Sequence, residues 1–324
     1  MTWLTTIWAR VSGAPALALL WALAAALVLY VFVTGGYLIA VLHFAAIYVV
    51  FVTGLNIFMG FAGQVSFGHN AFAAISGYAS AVLTATYGWE PLPAAAVGIL
   101  GALVCALIVG YPTLRLRGHY LAMATLAIGL IVYEVAVQWQ SVTQGYMGIS
   151  GIPPLGIGRW TVTSDRALLV WLAGFAAVSV LAAAGIRHSR LGRAFVAVAG
   201  SEDAARALGI DVARYKLIAF LISAFYAAVA GSLFVHAVGF VSPEVFGLHM
   251  VVLAFTMLYV GGIGTVAGAA LGALVIALLP ETLRRFSEYQ DLAYGGLLIL
   301  ILIYAPGGLA SLSGLSFGNR KADA

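Results

Sequence analysis

Residues able to do chemistry are few and scattered in this 324-residue chain. The six histidines, His43, His69, His119, His188, His236 and His249, fall at no metal-ligand spacing, and no Cys or carboxylate joins them to complete a ligand set. The single cysteine, Cys105, lies in the middle of an apolar run and cannot pair within the chain. No metal site is expected. A phosphate-cradling loop needs Gly-Lys-Ser/Thr, yet the two lysines, Lys216 and Lys321, precede Leu217 and Ala322. Neither a Ser/His/Asp constellation nor a carboxylate pair stands out, so the chain is expected to bind no cofactor and to catalyse no reaction. If ATP drives it, ATP and Mg are used on partner subunits. Glu134 interrupts an otherwise uncharged apolar run. A charge at the bilayer centre costs about 2.5–3.5 kcal/mol. Glu134 lies toward one end of its run, which favours a partnered or snorkelling carboxylate over a proton-coupling one.

Two segments concentrate what polarity there is. In Gly54–Phe72, Asn56, Gln64, Ser66, His69 and Asn70 alternate with glycines 54, 60, 63 and 68. Polar groups and broken backbone are tolerated at membrane depth where they are buried in protein or line a wet cavity. Asn56, Gln64, Ser66 and His69 are therefore candidates to line a translocation path. The same residues would equally serve as interhelical hydrogen bonds, with the glycines permitting close packing. A fainter echo, Gly-x-x-Gly-x-Val, occurs at Gly60–Val65 and at Gly261–Val266; broken helices in repeated halves are a transporter device.

The second segment is the polar stretch 187–216, with Arg187, Arg190, Arg193, Arg206, Arg214 and Lys216 against Glu202, Asp203 and Asp211. Within it, Ser201–Ile210 reads as a short helix. Ser201 is the N-cap, Glu202 and Asp203 fill the first turn, where the helix dipole favours anions, and Gly209 closes the C-terminal end. Ala204, Ala205 and Leu208 would form its apolar surface, suited either to the lipid interface or to a partner's groove.

The elements that position these residues follow from composition. The chain is 63% hydrophobic and 8% charged, with a mean hydropathy of +1.07, whereas soluble domains are roughly one quarter charged. No Asp, Glu, Lys or Arg occurs between Arg10 and Glu90, and similar gaps separate Lys216 from Glu244, Glu244 from Glu281, and Asp291 from Arg320. A span needs about 20 apolar residues, and these runs are apolar on every face, unlike barrel strands. The expected fold is an all-α, polytopic membrane protein forming a single permease domain over 1–324. Expected spans are Ala14–Val33 (retained, not a cleaved leader), Tyr37–Met59, Ala62–Ala85, Leu92–Tyr111, His119–Trp139, Ala167–Ile186 and Lys216–Gly239. Gly247–Leu279 reads as two short helices broken at Gly261–Gly264, and Leu292–Tyr304 is the last span. The total is about ten helices, with a second broken or re-entrant segment near Gly60–Gly68.

Although the pI is about 9.2, the cations lie in short interhelical loops and not in one patch, which argues for topology signals and against nucleic acid. By the positive-inside rule, Arg10, Arg115/Arg117 and the 187–216 loop are cytoplasmic. This places the N-terminus inside and the 141–166 loop outside.

The run Arg193-Ala-Phe, Ser201-Glu-Asp-Ala-Ala-Arg-Ala-Leu-Gly-Ile-Asp211 and Tyr215-Lys-Leu-Ile-Ala-Phe220 resembles the coupling-loop region of permeases of branched-chain amino acid ABC importers. So do Gly54-Leu-Asn, Gly63-Gln-Val-Ser-Phe-Gly-His69, Leu116–Leu126, the 143–153 loop and Pro306-Gly-Gly-Leu309. The resemblance extends over roughly 37–310 and is stronger to the longer, LivM-type permease.

What it implies is a type II ABC-importer-like fold and a multi-pass subunit of a bacterial plasma membrane importer. Such a subunit pairs with a second homologous permease, two cytoplasmic ATP-binding subunits and an extracytoplasmic solute-binding protein. Carried over by position, Ser201, Glu202, Asp203, Ala204, Ala205, Leu208 and Gly209 would form the helix that contacts an ATPase. Gln144, Tyr146 and Trp160 would belong to an outer surface facing the binding protein. Branched-chain amino acids are the expected solutes, though relatives carry other amino acids, amides and urea. A stand-alone ion- or proton-coupled transporter is the alternative. It would need intramembrane ionisable partners, and Glu134 has no evident mate.

Overall fold

The computed structural model describes residues 36–157, 160–282 and 307–311, with isolated helical positions at 29, 32 and between 292 and 303. The expected spans Ala14–Val33 and, for the most part, Leu292–Tyr304 lie outside the described residues.

Helix α1 (Leu38–Asn56) runs into a widened π turn, Ile57–Phe61. An irregular stretch, 62–68, then leads to α2 (His69–Ala85). Next come α3 (Pro91–Thr113) and α4 (His119–Gln138), followed by the short α5 (Gln140–Thr143) and a loop carrying strands β1 (Ile149–Ser150), β2 (Gly156–Ile157) and β3 (Trp160–Thr161). α6 (Asp165–His188), α7 (Arg190–Gly200), α8 (Glu202–Ala207) and α9 (Val212–Val238) follow, then β4 (Phe240–Val241). α10 (Leu248–Gly261), α11 (Val266–Thr282) and α12 (Gly308–Ser311) complete the described order.

Burial sorts the long helices into layers. In their most apolar stretches, 72% of α1 with its π turn and 67% of α9 are buried, against 22% of α3, 28% of α6 and 33% of α4. α1 and α2 each pack against α9 at the centre, α3 lies against α2 and α9, and α6 and α11 lie against α1. Interior packing uses small residues: Ala94, Gly98, Ala102, Ala106 and Gly110 form the buried stripe of α3. Lipid offers no hydrophobic driving force between helices, so close backbone approach is what holds such a face.

Six helical stretches are long and apolar enough to cross a membrane among the described residues. The expected ten are not reached there, because two expected spans lie largely outside the described residues and α2 and α11 are 17 residues each. At 1.5 Å per residue each extends about 25 Å, at the short end of the lengths that cross a bilayer. The expected span Ala62–Ala85 thus loses its first turns to the irregular stretch. Gly247–Leu279 divides into α10 and α11 at Gly262–Thr265, with Gly262 at φ 114° and Gly264 at φ 82°.

At the end opposite the basic loops, two short ladders fold the 141–166 loop. β1 pairs antiparallel with β4, Ile149 opposite Val241, and β2 pairs with β3, Gly156 opposite Thr161. His236 ties this loop to the bundle, its two ring nitrogens bonding the Pro153 carbonyl and the Ser80 hydroxyl at 2.8 Å each.

Candidate functional site

The two broken segments meet. Gly60 lies against Gly264 so closely that an added Cβ would stand 2.5 Å from the Gly264 nitrogen and 2.8 Å from its Cα. Asn56, at the end of α1, clamps the junction. Its Oδ1 accepts from the Gly264 N–H at 2.8 Å, and its Nδ2 donates to the Thr265 carbonyl at 3.0 Å. Both backbone groups belong to the gap between α10 and α11: the Gly264 N–H has no helical partner there, and the Thr265 carbonyl, which accepts from the Ala269 N–H at 3.2 Å, takes a second donor. A side-chain amide with one donor edge and one acceptor edge fits that need.

The first broken segment is also held from the basic end. Gly63 (φ 67°) brings the backbone against Ala199 of α7. The Arg187 guanidinium lies 5.1 Å from the Phe61 ring centroid, within cation–π range. Phe67 stacks on Phe255 of α10 at 4.4 Å, and its N–H donates to Thr125 Oγ1 of α4 at 3.1 Å.

Gln64 makes the connection of most consequence. Its Nε2 donates to the Ala62 carbonyl at 3.2 Å and to Glu202 Oε1, at the first turn of α8, at 3.3 Å. The same Glu202 oxygen pairs with Lys216 Nζ, and Glu202 Oε2 lies 3.4 Å from Arg117 Nε. Lys216 is 2% exposed and Glu202 18%. A buried ammonium needs such a partner, because desolvation of an unpaired charge costs several kcal/mol. Asp203 bonds Arg206 at 2.8 Å and lies 3.6 Å from Arg117.

α8 itself forms as its residues dictate. Ser201 Oγ accepts from the Ala204 N–H at 3.2 Å, and Gly209 (φ 81°) follows the last turn. Its face differs from the expected one. Ala205 is buried with Val198 and Val212, while Ala204, Ala207 and Leu208 are exposed, Leu208 at 81%. The reason is the close return of the chain: α7 and α9 flank α8 and take the Ala205 face. The apolar surface available to a partner is therefore Ala204, Ala207 and Leu208.

The four path candidates are all buried, and they do not share one cavity. Asn56 serves the clamp and Gln64 the contact with α8. Ser66 Oγ and His69 Nδ1 bond at 2.8 Å, and the His69 ring sits among Phe58, Phe72 and Phe220, with centroids 5.6, 5.8 and 5.5 Å away. A small cavity borders Ser66 and His69, with Phe51, Phe67, Asn70 and Phe255 among its walls. In the opposite loop, Gln144 adopts a left-handed conformation (φ 60°) that closes α5, and Tyr146 is 64% exposed. Trp160 stands in β3, paired with Ile157. No group of three or more His, Cys, Asp or Glu that could hold a metal occurs among the described residues.

Sequence reasoning missed the partners. Lys216 and Arg117 read as topology-setting loop cations. The available signal was that Lys216, alone of its cluster, heads straight into the apolar run of α9.

A family model described as the permease component of branched-chain amino acid transport systems matches residues 37–305. The permease protein LivM of the high-affinity branched-chain amino acid transport system of Escherichia coli (strain K12) is 35% identical over 293 residues, 82% of this chain and 68% of that protein. The permease protein LivH of the same organism is 29% identical over 287 residues, 81% of this chain and 90% of that protein. BraD of Pseudomonas aeruginosa, another permease protein of such a system, is 27% identical over 284 residues, 81% and 91% respectively. No solved structure matches the chain. With the family model spanning most of its length and LivM similar over four fifths of it, the chain belongs to the branched-chain amino acid transport permease family, as a LivM-type member.

Proposed function

We propose that this chain is a membrane-spanning permease subunit of an ATP-driven importer for branched-chain amino acids. The observation that carries the reading is the match to such permeases over 37–305, together with an exposed α8 face tied through Glu202 to a broken membrane segment. ATP hydrolysis belongs to two separate cytoplasmic subunits, which α8 contacts through Ala204, Ala207 and Leu208 beside Ser201, Asp203 and Gly209. A second, similar permease completes the path, as the existence of paired LivM and LivH relatives supports. An extracytoplasmic binding protein delivers solute to the loop carrying Gln144, Tyr146 and Trp160.

In this reading the chain sits in a bacterial plasma membrane with about ten spans. The cationic clusters Arg10, Arg115/Arg117 and 187–216 face the cytoplasm, and the N-terminus lies inside. Transport proceeds by alternating access: closure of the ATPases displaces α8, and the inner helices α1, α2 and α9 rock around a path shared with the second permease.

The test is reconstitution. The tagged chain, solubilised in mild detergent, co-purifies with two ATP-binding subunits and a second permease. The assembly in liposomes then imports labelled leucine when ATP and the binding protein are both supplied. Leucine transport by the chain alone, driven by an ion gradient without ATP-binding subunits, overturns the reading.

A further inference from the structure

We infer that Gln64 is the residue that transmits motion of α8 to the broken membrane segment, a positioning residue for transport. The inference rests on the proposed function, since it assumes that α8 meets an ATPase. α8 is short and exposed over most of its surface, so a push on it must leave through a few contacts. Ala205 packs on Val198 near the end of α7 and Val212 at the start of α9, a connection that stays within the basic end. Glu202 is different, because it reaches three other elements at once: Lys216 at the head of α9, Arg117 just before α4, and Gln64.

α9 and α4 are continuous helices of 27 and 20 residues, each held along its length by packing. Gln64 sits where the helix is interrupted. The irregular stretch 62–68 has no continuous helical ladder; the Ala62 and Gln64 N–H groups bond back to the Ile57 and Phe58 carbonyls, and Gln64 Nε2 holds the Ala62 carbonyl and Glu202 together. Movement of Glu202 therefore acts directly on the backbone at Ala62. From there two routes lead inward. Gly60 abuts Gly264 of the second broken segment, and Ser66–His69 opens α2 beside the small cavity. Gln64 is 7% exposed, which gives its amide few water partners to exchange for Glu202.

The experiment uses the whole importer in liposomes and measures ATP hydrolysed per leucine imported, with membrane-inserted protein matched between variants. Gln64→Ala raises that ratio about tenfold, within the range of typical coupling energies. Gln64→Glu alone sets a carboxylate against Glu202 and raises the ratio too. The exchange variant Gln64→Glu/Glu202→Gln restores the acid–amide pair beside Lys216 but not the bond to the Ala62 carbonyl, to which a carboxylate cannot donate, and so returns the ratio part of the way toward the unmodified value. A residue that merely lines the path would not be rescued by a change at Glu202. An unchanged ratio in Gln64→Ala, or an exchange variant no better than Gln64→Glu alone, overturns the inference. Leucine import by the unmodified importer without ATP is a separate result, and it overturns the functional reading beneath it.

Discussion

Asn56 and Gly264 are joined across 208 positions of sequence by a 2.8 Å hydrogen bond from the Gly264 N–H to the Asn56 side-chain oxygen. With the companion bond to the Thr265 carbonyl, it makes one side chain the cap of a helix break in another part of the chain. Asn56→Leu leaves the half-buried Gly264 N–H without its partner and removes one of the two donors to the Thr265 carbonyl, which the Ala269 N–H still serves, a loss of about 1 kcal/mol per bond. The melting temperature in detergent should fall clearly for Asn56→Leu. It should fall less for Asn56→Asp, which keeps the acceptor for Gly264. Equal melting of all three proteins would show that the clamp carries no stability.

The contact beneath that bond is steric. Gly60→Ala places a methyl group against the Gly264 backbone, which cannot yield as a flexible side chain would. It is expected to lower the yield of folded protein and transport together. Gly101→Ala, on α3, meets nothing within 4 Å and should be neutral or stabilising by up to about 1 kcal/mol, from helix propensity. Detergent melting and leucine uptake of the pair separate close approach from a general intolerance of larger residues.

Breaking the Glu202–Lys216 pair should cost more than losing a surface ion pair. Removal of one partner from a fully buried pair costs about 3–5 kcal/mol. With Glu202 still 18% exposed, about 2–3 kcal/mol is expected for Glu202→Gln. The double variant Glu202→Gln/Lys216→Met should recover most of that loss, because no charge is then left buried. Thermal unfolding of the four proteins forms the cycle, and strictly additive losses would contradict the coupling.

The exposed and buried faces of α8 should respond differently. Leu208→Glu is expected to leave the amount of protein in the membrane unchanged while reducing co-purification of ATP-binding subunits by about tenfold or more, as for an interface anchor. Ala205→Glu forces a carboxylate against Val198 and Val212 and should instead disorder the 187–216 region, read as faster proteolysis there. If the two variants behaved alike, the assignment of faces would be wrong.

At the opposite end, His236→Phe removes the bonds to Pro153 and Ser80. Hydrogen exchange around 149–157 should quicken, while α9 itself remains protected. No change in exchange would mean that the β1–β4 ladder alone holds the loop.

Much of this molecule was legible one residue at a time. Membrane class and helix interruptions depend on local composition: charge gaps longer than a bilayer crossing, and glycines at 60, 63, 262 and 264 that no lipid-exposed helix needs. The cap and close of α8 were equally local, because Ser201 bonds a group three residues away and Gly209 takes up a left-handed turn that glycine adopts freely. What tertiary structure decided were the meetings. Nothing near Gln64 in sequence announces Glu202, 138 positions on, and nothing near Asn56 announces Gly264. Amides placed among glycines looked alike as candidate path residues. Their partners separated them into a clamp, a strut between α8 and the membrane segment, and the hydroxyl–imidazole pair of Ser66 and His69. The face of α8 was likewise settled by α7 and α9 closing over Ala205. The physical reason is that local preferences determine that an element forms and where it stops, while burial sets apolar faces such as that of Ala205 against whichever elements close over them and draws polar groups to partners that the fold brings within hydrogen-bond reach.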